Sequence, residues 1–401
     1  MSPVYLDNNA TTRTDPAVVE AMLPFFSEHF GNASSTHAFG EKVGEALRAA
    51  RRQLQALLGA AHDHEIVFTS GGTESDNAAI LSALESQGDI DPARTEIVTT
   101  RVEHQAVLAL VAHLEKTRGI TVHQIGVDRQ GRLDMDAYAA ALGPRTALAS
   151  VMWANNETGT LFPVAELVRM AHAAGALFHT DAVQAVGKVP MDLKSMEIDM
   201  LSLSGHKLHG PKGIGALYVR KGVKFRPLIR GGHQERGRRG GTENVPGIIG
   251  LGAAANLALA HLEEEGTRVK ALRDRLEQGV LQQIPHTLLN GEPGNRLPNT
   301  ANIAFEYLDG EAVLTHLNRA GIATSTGSAC TSGSTEPSHV LRAMDLPATA
   351  LHGAIRFSLS RENTTEDVDR ALEVLPDIVT RLRDMSPAWK NRQGAPAAAH
   401  G

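Results

Sequence analysis

Between residues 65 and 203, six short apolar runs alternate with helical patterns, and nothing else in the chain restricts its fold as much. The runs occupy 65–69, 96–99, 121–127, 147–153, 176–179 and 200–203. Helical stretches at 105–116, 134–142 and 164–174 lie between several of them. This alternation predicts an α/β architecture, with a mostly parallel sheet covered by helices on both faces. Past the apolar stretch 248–260 and a long polar helix candidate at 262–283, the rhythm changes to a smaller α/β unit. Its parts are a strand at 301–305, a helix at 311–320, a strand at 354–359 and a helix at 366–383. Thr364 and Asp367 stand in capping-box spacing before that last helix. The expected division is an N-terminal segment, 1–20, associated with the small domain; a large domain, 21–260; a small C-terminal domain, 261–386; and a disordered tail, 387–401, rich in Ala, Gly and Pro.

Composition narrows the function. The chain has 401 residues, 42% of them hydrophobic, which suffices for two or three domains and a large core. A formal net charge of -6 argues against general nucleic-acid binding. No run approaches the roughly eighteen apolar residues of a membrane span. The opening Met1-Ser-Pro-Val-Tyr-Leu-Asp7 lacks the basic-then-apolar pattern of a signal peptide. Cys330 is the single cysteine, so an internal disulfide is impossible. The expectation is a cytoplasmic protein without membrane or nucleic-acid partners.

Polar groups collect where the strands end, which is where open α/β sheets bind ligands. The run Leu201-Ser-Leu-Ser-Gly-His-Lys-Leu-His-Gly-Pro-Lys-Gly-Ile-Gly215 places Lys207 at the mouth of a strand, beside Ser204 and His206. Desolvation there disfavours the ammonium and makes the amine available for Schiff-base chemistry; the plainer reading is a solvated lysine in a turn. Ser70-Gly-Gly-Thr-Glu-Ser-Asp-Asn77, ahead of a helical run, offers free N–H groups suited to a phosphate, or a simple helix cap. His104 can stack on a planar ligand and move protons, or be a structural histidine. Asn156 lies in a loop whose amides can orient ring substituents. Asp181 in Phe178-His-Thr-Asp-Ala-Val-Gln184 needs a partner if buried and would find one in a protonated ring nitrogen; it reads equally as a helix cap. Taken together, these groups supply the contacts that pyridoxal phosphate requires.

On these motifs the chain resembles the class V group of the fold-type I pyridoxal-phosphate enzymes, and within it the cysteine desulfurases. The resemblance rests on Tyr5-Leu-Asp-Asn-Asn-Ala-Thr-Thr12, residues 69–77, Ser-Gly-His-Lys at 204–207 and Ser328-Ala-Cys-Thr-Ser-Gly-Ser334. It runs over nearly the whole chain and fails in the last fifteen or so residues. Residues 151–159 and 231–239 look closest to the nitrogen-fixation (NifS) type, with the housekeeping (IscS) type a poorer match.

The resemblance implies that Lys207 carries the cofactor, Asp181 holds the pyridine nitrogen, and Gln184 and Asn156 contact the ring hydroxyl side. It places His104 over the ring face and Gly72, Thr73, Ser204 and His206 around the phosphate, with Gly205 a further cofactor contact. Thr242 would reach the phosphate of a neighbouring subunit, implying a homodimer. Arg356, with Asn156, would bind the substrate carboxylate; without the family, Arg356 reads as a strand-end salt bridge. Cys330, among small and hydroxylated residues, would take sulfur from L-cysteine as a persulfide and hand it to an iron–sulfur scaffold or another acceptor protein. The family also suggests Cys330 as a transient metal-cluster ligand. A selenocysteine lyase, an aminotransferase-like activity and a non-catalytic docking subunit are the alternatives.

Overall fold

The computed structural model describes residues 3–326 and 336–394. The chain opens with a two-residue strand, β1 (Val4–Tyr5). The main sheet follows from β2 (Ile66–Thr69), β3 (Glu96–Thr100), β4 (Thr121–Ile125), β5 (Thr146–Ser150), β6 (Leu177–Asp181), β7 (Met200–Ser204) and β8 (Gly215–Val219). Their spatial order is β2-β8-β7-β6-β5-β3-β4. All pairs are parallel except those of β8, which runs antiparallel to β2 and β7. Apolar clusters cover the sheet on both sides. One holds Phe68, Val98, Ala149, Phe178 and Leu203; the other holds Val67, Ile97, Leu148, Met200 and Leu217. Neighbouring residues of one strand divide between the two clusters because successive side chains point to opposite faces.

The alternation begins one element earlier than the sequence pattern indicates. A helix at Ala38–Leu58 precedes β2, capped by His37, whose Nδ1 accepts from the Gly40 amide, and closed by Gly59 at φ 60°. Its buried face, Val43, Leu47, Ala50, Leu54 and Leu58, recurs every three or four residues. That face lies in the same core as Ile248, Leu251 and Ala255 of the helix Val245–Ala260. The helix expected over 262–283 is interrupted by a π-turn, Glu265–Val269, before it resumes as Lys270–Gln283.

A second core gathers Val269, Leu276, Ile303, Phe305, Phe357, Leu375 and Val379. Its sheet comprises β9 (Thr287–Asn290), β10 (Thr300–Phe305) and, after β11 (Ile322–Ala323), β12 (Ala354–Ser358), all antiparallel in the order β12-β10-β9. β1 pairs with β11, and Val4 and Leu6 are buried in this second core. The capping box forms as expected: Thr364 accepts from the Asp367 amide, and the Asp367 carboxylate accepts from the Thr364 amide.

One expectation is corrected. Residues 387–394 of the supposed disordered tail form a helix, Pro387–Gly394. Trp389 holds it: the indole meets His286 at 5.2 Å and Tyr307 at 5.5 Å, and the Arg383 guanidinium lies 4.7 Å from its ring. Ring and cation contacts of this kind each contribute on the order of 0.5–1.5 kcal/mol, enough to order a polar segment that composition alone leaves loose.

Candidate active site

A cavity of about 430 Å³ opens at the carboxyl ends of β5, β6 and β7. Gly72, Thr73, His104, Asn156, Asp181, Gln184, Ser204, His206, Lys207 and Arg356 line it. The sequence had singled out all ten. Asn9, Ala10, Asp76, Met152, Ala154 and Val183 complete the wall.

Each side chain is placed by a local rule. Lys207 ends a 3-10 turn, Gly205–Lys207, that immediately follows β7. Its Nζ donates to the carbonyls of Asn9 at 2.5 Å and Ala10 at 2.7 Å. Asp181 is the last residue of β6; one oxygen accepts the Val183 amide at 2.9 Å. Burial pushes its carboxyl above the ordinary range, and His104, the Val183 amide and Lys207 pull it back. His104 caps the helix Gln105–Arg118, with Nδ1 accepting the Ala106 amide at 3.1 Å. That bond assigns the ring proton to Nε2 and fixes the ring plane. Gln184 is held at both ends of its amide, donating to the Asn9 carbonyl at 2.9 Å and accepting from Lys188 Nζ at 3.1 Å.

The end of the cavity expected to take a phosphate is built from backbone. The helix Gly72–Gly88 begins beside Ser204, and its first residues, Gly72 and Thr73, face the cavity. A side chain at Gly72 would press into Val183, with a Cβ 2.9 Å from its Cγ2. The free N–H groups of a seventeen-residue helix make an anion site. His206 borders this end, with Nδ1 3.1 Å from Thr11 Oγ1. Burial and then the Lys207 charge push its pKa down to about 4, so at neutral pH it acts as a neutral hydrogen-bonding group.

Arg356, on β12, is 2% exposed and fulfils the plainer reading while leaving room for the other. Nη2 pairs with Asp7 at 2.8 Å and Nη1 donates to the Asn156 carbonyl at 2.9 Å. Its Nε is buried without a hydrogen-bond partner among the described residues. Arg356 also lines the cavity, which puts a guanidinium, a fork suited to carboxylates, at its wall.

Two expected cofactor contacts fall outside this lining. Gly205 is buried against Pro211 and Ile214, and its amide is committed to the Ile214 carbonyl at 2.9 Å. It shapes the turn that presents Lys207 rather than touching the cavity. Thr242 lies exposed on the loop before the helix Val245–Ala260 and does not line its own chain's cavity. Cys330 lies outside the described residues. Among the described residues no group of three or more His, Cys, Asp or Glu side chains could hold a metal ion.

Sequence reasoning assigned no role to the segment 7–12, although its residues had been noticed. Its carbonyls hold Lys207 and Gln184, and Asp7 holds Arg356. Asp76 and Glu103 were given no role of their own: Asp76 falls within the quoted motif 69–77, and Glu103 directly precedes His104.

A lysine, a carboxylate at a strand end, a helix start with free amides and a histidine on one cavity fit pyridoxal phosphate. Comparisons with known proteins agree. The model of the aminotransferase class-V family matches residues 4–371. A cysteine desulfurase of Gluconacetobacter diazotrophicus is 72% identical over 401 residues, covering 100% of this chain and 98% of its own. The cysteine desulfurase NifS of Azotobacter vinelandii is 62% identical over 389 residues, covering 97% and 96%. The solved structure of a NifS-like protein superposes with a TM-score of 0.88 at 38% identity, over 95% of this chain and 100% of that one. The chain therefore belongs to the class-V aminotransferase family of pyridoxal-phosphate enzymes.

Proposed function

We propose that the chain is a cysteine desulfurase that converts L-cysteine to L-alanine and takes the sulfur as a persulfide on Cys330, for delivery to an iron–sulfur scaffold in nitrogenase assembly. The relatives' names support the desulfurase activity, and the NifS relative supports the nitrogen-fixation role. One observation carries the reading: Lys207, Asp181, His104 and Arg356 converge on a single cavity of cofactor size.

Pyridoxal phosphate, when bound, supplies the electron sink that makes the substrate Cα proton acidic and the Cβ–S bond labile. Arg356, with Asn156, receives the substrate carboxylate. Lys207 Nζ moves the Cα proton, held close by two carbonyls that orient it. Asp181 keeps a proton at the ring nitrogen. His104 Nε2 assists proton movement, an effect typically of about 10²–10⁴-fold for a positioned acid or base. Cys330 thiolate attacks the substrate sulfur; the S–S bond forms as Cβ–S breaks, and a proton added at Cβ yields alanine. The thiol form is a poor nucleophile, so deprotonation of Cys330 is required.

A second copy of the chain completes the phosphate end in this reading. Thr242 is exposed and does not line its own chain's cavity, and Leu23, Phe26, Phe30 and Phe39 are large apolar side chains left exposed near the start of the chain. Among the described residues no single helix is long and apolar enough to cross a membrane.

Cys330→Ser tests the sulfur route. The variant is expected to bind cofactor and L-cysteine with unchanged spectra and to form no protein persulfide. Sulfide and alanine released at the wild-type rate would contradict the persulfide step.

A further inference from the structure

Lys188 is a buried cation to which the reaction above gives no task. It is 7% exposed and stands in the hydrogen-bonded turn after β6, four residues past Gln184, a spacing that brings the two side chains together. Gly187, at φ 76°, lets this turn pack closely, since a Cβ there would sit 2.7 Å from Leu208 Cδ2. Lys188 Nζ donates to the Gln184 carbonyl at 3.2 Å and to Gln184 Oε1 at 3.1 Å. The charged and titratable groups around it are Glu265 and His261 at the π-turn, His206, Lys207 and His209 after β7, and Arg356 and Arg361 on and after β12. Glu265 is the one acid among them, and its Oε2 is buried without a hydrogen-bond partner among the described residues. Burial pushes the Lys188 ammonium down to about 8 and Glu265 supports its charge, so at pH 7 the side chain is mostly cationic.

These bonds allow the Gln184 amide one orientation. Nε2 donates to the Asn9 carbonyl at 2.9 Å while Oε1 accepts from Lys188. Turning the amide over would set its N–H groups against the ammonium and its oxygen against the Asn9 carbonyl, replacing two attractions by two repulsions. The amide has two N–H groups. With one on Asn9, the other is the donor that Gln184 can offer a ligand in the cavity it lines. A cation on Oε1 polarises the amide and strengthens that N–H as a donor.

We propose that Lys188 is a positioning residue that, by holding Gln184 Oε1, presents the amide N–H of Gln184 to the ring hydroxyl oxygen of pyridoxal phosphate. A donor on that oxygen stabilises its anion, so the bound cofactor loses its proton at a lower pH. The inference rests on the reading of Gln184 at the ring hydroxyl side.

The pH titration of the visible absorbance of the cofactor-loaded protein reads this donor, and a double-mutant cycle assigns it. Lys188→Met is expected to raise the titration midpoint by about one pH unit and to weaken binding of pyridoxal phosphate to the apoprotein about tenfold. Gln184→Ala is expected to raise the midpoint at least as far, and adding Lys188→Met to it is expected to change the midpoint little further. A lysine acting by its charge alone would shift both backgrounds alike. Lys188→Gln, which keeps a neutral donor, is expected to shift the midpoint the same way by less, and it takes the place of Lys188→Met in the cycle if that variant does not fold. A wild-type midpoint in the folded Lys188 variant, or an equal shift with and without Gln184, overturns the inference. Gln184→Ala separates the two readings: if it moves the midpoint and the Lys188 variant does not, only the inference fails; if Gln184→Ala leaves the midpoint unmoved, the reading of Gln184 fails with it.

Discussion

The two walls of the cavity are made of different materials. The floor consists of side chains at the ends of β6 and β7 and at the turn after β3, buried so deeply that ionisation is set by the surroundings. The opposite wall, segment 7–12 with Arg356, works largely through main-chain carbonyls and one surface-side carboxylate. The floor therefore decides which groups carry protons, and the other wall decides where Lys207 and Arg356 point. That second wall also ties the two cores together: Asn9 N donates to Ser358 Oγ at 2.9 Å, and Thr12 N to the His206 carbonyl at 2.9 Å. A substitution in the floor is expected to change pH behaviour, and one in the facing wall to change binding.

Arg356→Lys tests the facing wall and carries the larger effect. A lysine cannot keep Asp7, the Asn156 carbonyl and a third acceptor in one plane. Loss of one charge-assisted bond, roughly 1.5–3 kcal/mol, corresponds to a KM for L-cysteine raised about 10–100-fold. The change in kcat is expected to be smaller. An unchanged KM would place the carboxylate elsewhere.

Glu103→Gln tests the floor through stability. Glu103 is fully buried, with Oε1 accepting from the Met152 amide and Thr100 and Oε2 unpartnered among the described residues. Burial pushes its pKa from 4.5 to about 8. A raised carboxyl pKa means the folded state holds the proton more tightly than the unfolded one. Its contribution is complete below pH 4.5 and is lost as pH rises through about 8. Glutamine keeps the accepting oxygen and removes the titration. The variant is expected to lose less stability than wild type between pH 5 and pH 9, by on the order of 1–3 kcal/mol in denaturant titrations. An identical pH dependence would show that Glu103 is not held protonated.

The contrast also explains what could be read from residues alone. Floor groups announce themselves, because Lys207, Asp181 and His104 are polar residues that end apolar runs. The order of the strands and the antiparallel turn of β8 carry no such mark, since pairing is decided by packing across the whole sheet. Asn9 and Ala10 act through carbonyls, which every residue possesses, so no side chain could betray them. Asp76 lies within the run read as a phosphate cradle or helix cap, and its burial beside His179 appears only once the helix packs on the sheet. The resemblance implied Gly205 as a cofactor contact, yet its missing side chain serves the packing of Ile214. The helix Pro387–Gly394 depends on Trp389 finding His286 and Tyr307, partners distant in sequence that local composition does not encode.

The central claim is that Lys207 alone anchors the cofactor, and reductive trapping addresses it directly. Lys188 is the competitor: it is fully buried behind Gln184, and burial pushes its pKa down to about 8. Treating the loaded enzyme with borohydride and mapping the modified peptide by mass spectrometry is expected to place the pyridoxyl group on Lys207 in every digest. A label on Lys188, or on any lysine but Lys207, would contradict the account.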